Sequence, residues 1–396
     1  MQTRMLSGSP LLGSLPSYLE RVWHPLRKCP VHCTLKTGLV LIGRLLSSNV
    51  HRVVSPQHGL CSRRKQPSSL IEHAGSKTIQ QPGSRLRASL CFSSSVLLLP
   101  SFVECFSDVE AMHRWSNAQH QQGRTVALVP TMGALHKGHL ALVEEAQQHA
   151  DAVVVSIFVN PTQFAPDEDF EAYPRTLDAD RKALSDYDGV EAIFAPTVEA
   201  MYPFGASTTQ EPYISVDVHT LNNHLCGKYR PGHFEGVVTV VSKLFNACKP
   251  DVAVFGQKDA QQLVILKHLV QALRFDIDVV GVPTVRESDG LACSSRNAYL
   301  NKAERAEAPR VYEAIQAGVE AVERGEQQVK AVVRAMRNPL STAKNARIQY
   351  TSVVDAETLQ PKTQLHPGDD VLLAAAVFFG DTRLIDNAFV QVPSSL

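Results

Sequence analysis

The sequence predicts an α/β fold: a Rossmann-like, doubly wound parallel sheet followed by a second, smaller mixed α/β C-terminal domain. Three observations predict it. Between residues 125 and 282, short apolar runs alternate with longer segments of helical period. The runs are almost continuous Val and Ile, as strands covered on both faces require. Polar, partly Gly-containing loops follow the strand ends, which is where open sheets of this kind bind ligands.

The elements follow in order. Thr125–Pro130 (TVALVP) is a buried strand. His139–Ala150 places Leu140, Val143 and Ala146 at helical spacing, and Asp151–Asn160 (DAVVVSIFVN) is a second strand. Strand, helix and strand in so few residues make a βαβ unit. The spacing then predicts a helix over Leu177–Asp186 and a strand over Glu191–Ala195. A helix over Val237–Ala247 precedes a strand over Asp251–Phe255. A helix over Ala260–Leu273 leads to a strand over Asp276–Val282. After Val285 the texture changes. Asn301–Arg337 is helical and charged, and Val371–Phe379 and Phe389–Val392 are strand candidates. This divides the chain into an extension (1–97), a larger domain (98–284) and a smaller lid domain (285–396).

The 396 residues carry no net charge, which argues against a wholly nucleic-acid-binding protein. The balance hides an asymmetry. The first hundred residues hold thirteen Lys and Arg against only Glu20 and Glu72. This basic, Ser-rich stretch has no persistent period. It fits a transit peptide, a disordered tail, or a translated stretch upstream of the true start. Cys29 and Cys33 lie near His24 and His32, but no second ligand pair at zinc spacing accompanies them. Eight irregularly spaced cysteines fit a reducing compartment better than a disulfide scaffold. No run of about 18 apolar residues predicts a membrane span.

The chemistry lies at the predicted strand ends. After the first strand comes Met132-Gly133-Ala134-Leu135-His136-Lys137-Gly138-His139. A strand–loop–helix junction offers free helix N–H groups to a phosphate. His136 and His139 could donate to phosphate oxygens, or one could cap the helix while the other packs. After the second strand stand Asn160 and Gln163, neutral hydrogen bonders. An acidic loop (Asp167, Glu168, Asp169) then leads to Tyr173-Pro174-Arg175-Thr176 and to Asp178 and Asp180. It is either solvated or a holder of Mg²⁺, which needs only one or two protein oxygens. The strand ending at Phe255 runs into Gly256-Gln257-Lys258-Asp259, where the lysine could clamp a triphosphate. Cys293-Ser294-Ser295-Arg296 supplies two hydroxyls and a guanidinium suited to phosphate.

The ordered blocks TMGALHKGH, SIFVNPTQF, YPRT, YRPGHFEGV, GQKDAQQL and VPTVRESDGLACSSRNAYL resemble the pantothenate synthetase (pantoate–β-alanine ligase) family over roughly residues 98–396. The first and last nucleotide motifs are similar to the paired HIGH and KMSKS signatures of the wider nucleotidylyltransferase superfamily. The resemblance implies an ATP-dependent, AMP-forming ligase that makes pantoyl adenylate and then joins it to β-alanine. It implies that Met132 to His139, Gly256 to Asp259, Val285 and Cys293 to Arg296 bind ATP. His139, His136 and Lys258 would be catalytic. Gln163, Gln262, Asn160, Arg230 and His233 would face pantoate or β-alanine, and Asp180 would lie near Mg²⁺. A cytoplasmic homodimer acting on small molecules, without nucleic acid or membrane, is the further implication. A mitochondrial or plastid location follows if residues 1–97 are a transit peptide.

Three positions depart from the family pattern: Gln257 where Glu is usual, Ala260 where an aromatic is usual, and Cys293 where Met is usual. None removes a phosphate-binding side chain. Two rivals remain: a nucleotidylyltransferase that adenylates a phosphate-bearing small molecule, and a non-catalytic nucleotide-binding module. The Cys293 thiol, near Lys258 and Arg296, is expected to have a lowered pKa and to be the most reactive cysteine of the folded part.

Overall fold

The computed structural model describes residues 103–394. The basic extension and its Cys/His group lie outside them. The first part of the described chain runs β1 (Glu104–Phe106), α1 (Val109–Gln121), β2 (Val126–Thr131), α2 (Lys137–His149), β3 (Ala152–Ile157), α3 (Leu177–Leu184) and β4 (Val190–Phe194). Then come α4 (Val198–Met201), α5 (Leu225–Tyr229), α6 (His233–Cys248), β5 (Val252–Gly256), α7 (Ala260–Leu273) and β6 (Asp278–Val282). The last part is α8 (Lys302–Glu307), α9 (Arg310–Glu323), α10 (Val329–Ser341), β7 (Ala346–Asp355), β8 (Asp370–Phe379) and β9 (Thr382–Gln391).

The six-stranded sheet has the order β1-β4-β3-β2-β5-β6, and every pair is parallel. Val126–Val129 and Ala152–Val155 are completely buried, as the Val-rich runs require. One face packs α1, α6 and α7 through Met112, Phe234, Val238 and Leu266. The other packs α2 through Leu142, Val143 and Ala146. From β2 the chain moves outward through β3 to β4, then returns to place β5 on the other side of β2. The strand order therefore reverses between β2 and β5, and their carboxyl ends form the crevice where such sheets bind ligands.

The second sheet is antiparallel, in the order β7-β8-β9. One of its faces buries Leu373, Ala375, Val377 and Leu384 against α9 and α10. The other contributes Tyr350, Leu372 and Ala374 to the core beneath the larger sheet. Several elements differ from the sequence expectation. The helical stretch 301–337 is three helices, interrupted at Pro309 and at Gly325, whose φ of 86° ends α9. The last strand begins at Thr382, directly after the two-residue turn Gly380-Asp381, and not at Phe389.

Candidate active site

The loop after β2 takes the chain through two left-handed residues, Gly133 (φ 82°) and Ala134 (φ 50°). Only glycine fits the first. A Cβ there would lie 3.0 Å from Asp180 Oδ2 and 3.1 Å from the Ile157 side chain. Asp180, buried on α3, holds the strained turn from below. Its Oδ2 accepts from Ala134 N (3.1 Å) and Thr176 Oγ1 (3.3 Å), and its Oδ1 accepts from Leu135 N (2.8 Å).

His136 is the N-cap of α2, so the helix starts two residues before the sequence pattern suggests. Its Nδ1 accepts from Gly138 N at 3.1 Å, while the His136 N–H points at His139 Nδ1, 3.4 Å away. Glycine at 138 makes this fold-back possible, because a Cβ would meet the His136 ring at 2.9 Å. The two rings stack with centroids 4.0 Å apart. Both Nδ1 atoms accept, so in each neutral ring the proton sits on Nε2. Desolvation, the His136 ring and the Lys258 charge push the His139 pKa down to about 3. Desolvation, then Lys258, also lowers His136. Capping and donating are thus compatible: each histidine caps with one nitrogen and keeps an Nε2–H donor.

After β5, Gly256–Asp259 turns into α7. Lys258 Nζ lies 3.5 Å from Asp259 Oδ2. Burial opposes the Asp259 charge, but Lys258 and Arg296 outweigh it and its pKa is lowered. The hairpin after β6 brings in the third segment: Cys293 N donates to Val285 O at 2.9 Å. Ser295 Oγ reaches Ala134 O at 3.4 Å, tying this segment to the β2 loop. Arg296 is bidentate with Asp169 (3.0 and 2.8 Å) and lies over the Tyr173 ring. A cavity of about 230 Å³ is lined by Met132, His136, Gly138, His139, Gln163, Arg230, His233, Gly256, Lys258, Asp259, Gln262, Val285 and Cys293–Arg296. It shares Arg230, His233, Lys258, Gln262 and Arg296 with a cleft of about 980 Å³ that the C-terminal sheet also lines.

The profile of the pantoate–β-alanine ligase family matches residues 104–389. A pantothenate synthetase of Salinibacter ruber is 59% identical over 292 residues, which are 74% of this chain and 99% of the relative. One from Moorella thermoacetica is 47% identical over 290 residues, 73% of this chain and 99% of its own. The chain belongs to the pantoate–β-alanine ligase family. Solved structures agree. The pantothenate synthetase of Thermus thermophilus superposes with a TM-score of 0.66 at 42% identity, over 74% of this chain and 100% of that one. The Francisella tularensis pantoate–β-alanine ligase, solved with β-γ ATP and β-alanine, gives 0.59 at 31% identity, over 73% and 98%.

Not every residue expected at the ligase site lines the cavity. Asn160 is enclosed. Its Nδ2 donates to Gln163 Oε1 (3.0 Å) and Gly236 O (3.2 Å), and its Oδ1 accepts from Tyr202 (2.8 Å) and Thr162 (3.1 Å). It aims Gln163 and has no bond left for substrate. Asp180 commits both oxygens to the loop and lies outside the cavity lining. Gln257 turns away, its Nε2 donating to Gly281 O at 3.3 Å, so the departure from Glu falls outside the cavity lining. Lys137 is exposed on the first turn of α2. His233 uses both ring nitrogens, Nδ1 donating to Gln163 O (2.9 Å) and Nε2 accepting from Arg230 (2.9 Å). Desolvation and Arg230 hold its pKa down at about 3. Arg230 is itself bidentate with Glu168 at 2.6 Å.

The expectation for Cys293 is overturned. Its pKa is raised, because burial and then Glu287 disfavour the thiolate, and only Lys137 opposes them. The sequence points to Glu168, Asp169 and Tyr173 but not to their partners. Glu168 and Asp169 pair with the cations Arg230 and Arg296, and Tyr173 packs under Arg296, so two of the three loop acids are paired while Asp167 is exposed. The signals in the sequence are the acids placed between two motif blocks and Tyr173 at the head of the second.

Proposed function

We propose that the chain condenses pantoate with β-alanine, driven by ATP, through pantoyl adenylate. The observation that carries this reading is the convergence of three segments at the β2/β5 switch point. They supply phosphate-seeking groups, while the adjoining wall offers neutral glutamines.

A carboxylate is a poor electrophile toward an amine, so it must first be activated. A pantoate carboxylate oxygen attacks the α-phosphorus, the bond to the β-phosphate oxygen breaks, and pyrophosphate leaves. Charge builds on the phosphate oxygens in this step. His136 and His139 meet it with Nε2–H donors that stay neutral and need no proton exchange with water. Lys258, Ser294 and Ser295 add charge and hydrogen bonds near the positive end of α2, and Arg296 stands beside them on Asp169. Gln163, aimed by Asn160, and Gln262 orient the hydroxy acid. The β-alanine amine then attacks the activated carbonyl carbon, loses a proton, and expels AMP. The site holds its parts in place and needs no nucleophilic side chain.

A protein-held magnesium at Asp180 does not fit. Its oxygens already accept from the Ala134 and Leu135 amides and the Thr176 hydroxyl, and the side chain lies outside the cavity lining. Magnesium would arrive as the counter-ion of ATP, largely hydrated. The nucleotidylyltransferase alternative is disfavoured by the family match and by the neutral Gln163 and Gln262 in the cavity wall, which suit a hydroxy acid better than a phosphate-bearing substrate. A homodimer is supported by Phe204, Tyr213 and Ile214, which are 72%, 78% and 84% exposed on one loop. No described helix is long and apolar enough to cross a membrane. A cytoplasmic site of action rests on family resemblance, and sequencing the mature N-terminus would decide between it and an organelle.

The test is to incubate the protein with ATP and Mg²⁺, with pantoate alone and then with β-alanine, and to identify products by mass. Pantoyl adenylate and pyrophosphate are expected first, then pantothenate and AMP. ATP left intact in the presence of both substrates would defeat the reading.

A further inference from the structure

We propose that Asn387, in the middle of β9, is a positioning residue for adenylation that acts through Lys258; this rests on the ligase reading above. Strand alternation splits β9 into two faces. Leu384 and Ala388 pack with the α9/α10 core, and Ile385 packs toward the larger sheet. Asn387 shares the second face and is 8% exposed. Its Nδ2 donates one hydrogen to Gln257 O (3.0 Å) and the other to Lys258 O (2.8 Å). These two bonds fix both peptide planes of the turn that carries Lys258, and so the direction in which the lysine leaves the backbone.

The preceding residue works on the other phosphate segment. Asp386, 3% exposed, is bidentate with Arg286 (2.6 and 2.9 Å). Arg286 donates to Gly290 O (3.0 Å) and lies 4.3 Å over the Tyr312 ring, which sets the hairpin leading into Cys293–Arg296. Asp386 Oδ1 also accepts from Asn387 N at 2.8 Å, so the two grips share one backbone segment. The C-terminal sheet thereby fixes the spacing between Lys258 and the serine–arginine segment. Only a carboxamide donates to two carbonyls from one short side chain. Aspartate, of the same shape, would turn acceptors toward both.

The experiment measures pyrophosphate release from the full chain with ATP, Mg²⁺ and pantoate, without β-alanine, at high enzyme. Asn387→Ser keeps one donor and is expected to lose about tenfold in rate; Asn387→Ala and Asn387→Asp are expected to lose about 10²-fold, the scale of a small misplacement at a reacting centre. KM for pantoate should stay within about twofold, because Gln163 and Gln262 are untouched. In a Lys258→Ala background, Asn387→Ala should cost nothing further. Serine carries the same comparison where alanine does not fold. A wild-type rate in the serine and alanine variants, or an equal loss with and without Lys258, would overturn the proposal. A wild-type chain inert toward pantoate would instead defeat the ligase reading.

Discussion

At the scale of single residues, the histidine pair shows how a cap and a donor coexist. The Nδ1 atoms are committed to the backbone, so the chemistry is left to Nε2–H. His139→Ala is expected to slow adenylation by about 10²-fold or more. His139→Gln, which keeps an N–H donor, should recover part of that loss. With its pKa held at about 3, His139 should leave no inflection in the adenylation rate between pH 5 and 8. A limb near pH 6.5 that vanishes in the glutamine variant would show that it titrates and acts as a charged acid. Cys293 carries the opposite lesson. Proximity to cations in sequence suggests a reactive thiol, yet burial decides, and Glu287 adds to it. A thiol-alkylating reagent at pH 7 should modify exposed Cys105 before Cys293, and leave activity intact while it does so. Peptide mapping by mass gives the order. Cys293→Met should keep activity within about tenfold.

Among the elements, the β2 loop, the β5 turn and the hairpin after β6 are legible because each is a local pattern: an apolar run, then polar residues and glycine. Alternation of strands and helices puts these loops at the carboxyl edge of one sheet, and the strand order that makes the β2/β5 switch point comes from the structure. What cannot be read are the parts made by partners distant in sequence. Nothing local marks Asn160 as a support for Gln163, since its partners at Gly236 and Tyr202 are fixed only by folding. The polar middle of β9, with Arg383, Asp386 and Asn387, breaks the apolar pattern, so the pattern predicts a strand only from Phe389. Edge β1 has just three residues, and α1 is mostly polar, anchored by Met112 and Trp115. Asp180 belongs here too, because what it braces is a loop. Asp180→Asn keeps the volume but places an NH₂ opposite a backbone N–H. The expected result is a loss of about 1–3 kcal/mol in stability and weaker ATP binding, read by denaturant titration and by nucleotide-induced shift of the melting temperature. Unchanged stability with lost magnesium dependence would return the carboxylate to the metal.

For the whole molecule, the family match lies entirely outside the basic extension. The family profile matches residues 104–389, and the Salinibacter relative aligns over 99% of its own length within 74% of this chain. Deleting residues 1–97 should therefore leave the adenylation rate unchanged, and a folded but inactive truncation would place the extension in the site. The described unit is expected to lose stability in acid. His139 and His233 are held neutral with pKa values of about 3, whereas an unfolded histidine titrates near 6.5. Above ~6.5 neither state binds the proton and the fold keeps its full stability. Below that, the unfolded chain takes up two protons that the native one refuses, so stability falls as pH falls, down to about 3. Each proton contributes a slope of ~1.4 kcal/mol per pH unit, so moving from pH 7 to pH 5 should cost on the order of a few kcal/mol. His136, also lowered, acts in the same direction. Urea titrations at the two pH values measure the loss. His139→Gln should flatten the dependence by about one proton. Equal stability at pH 7 and pH 5 would mean that these rings are hydrated and titrate as they do in the unfolded chain.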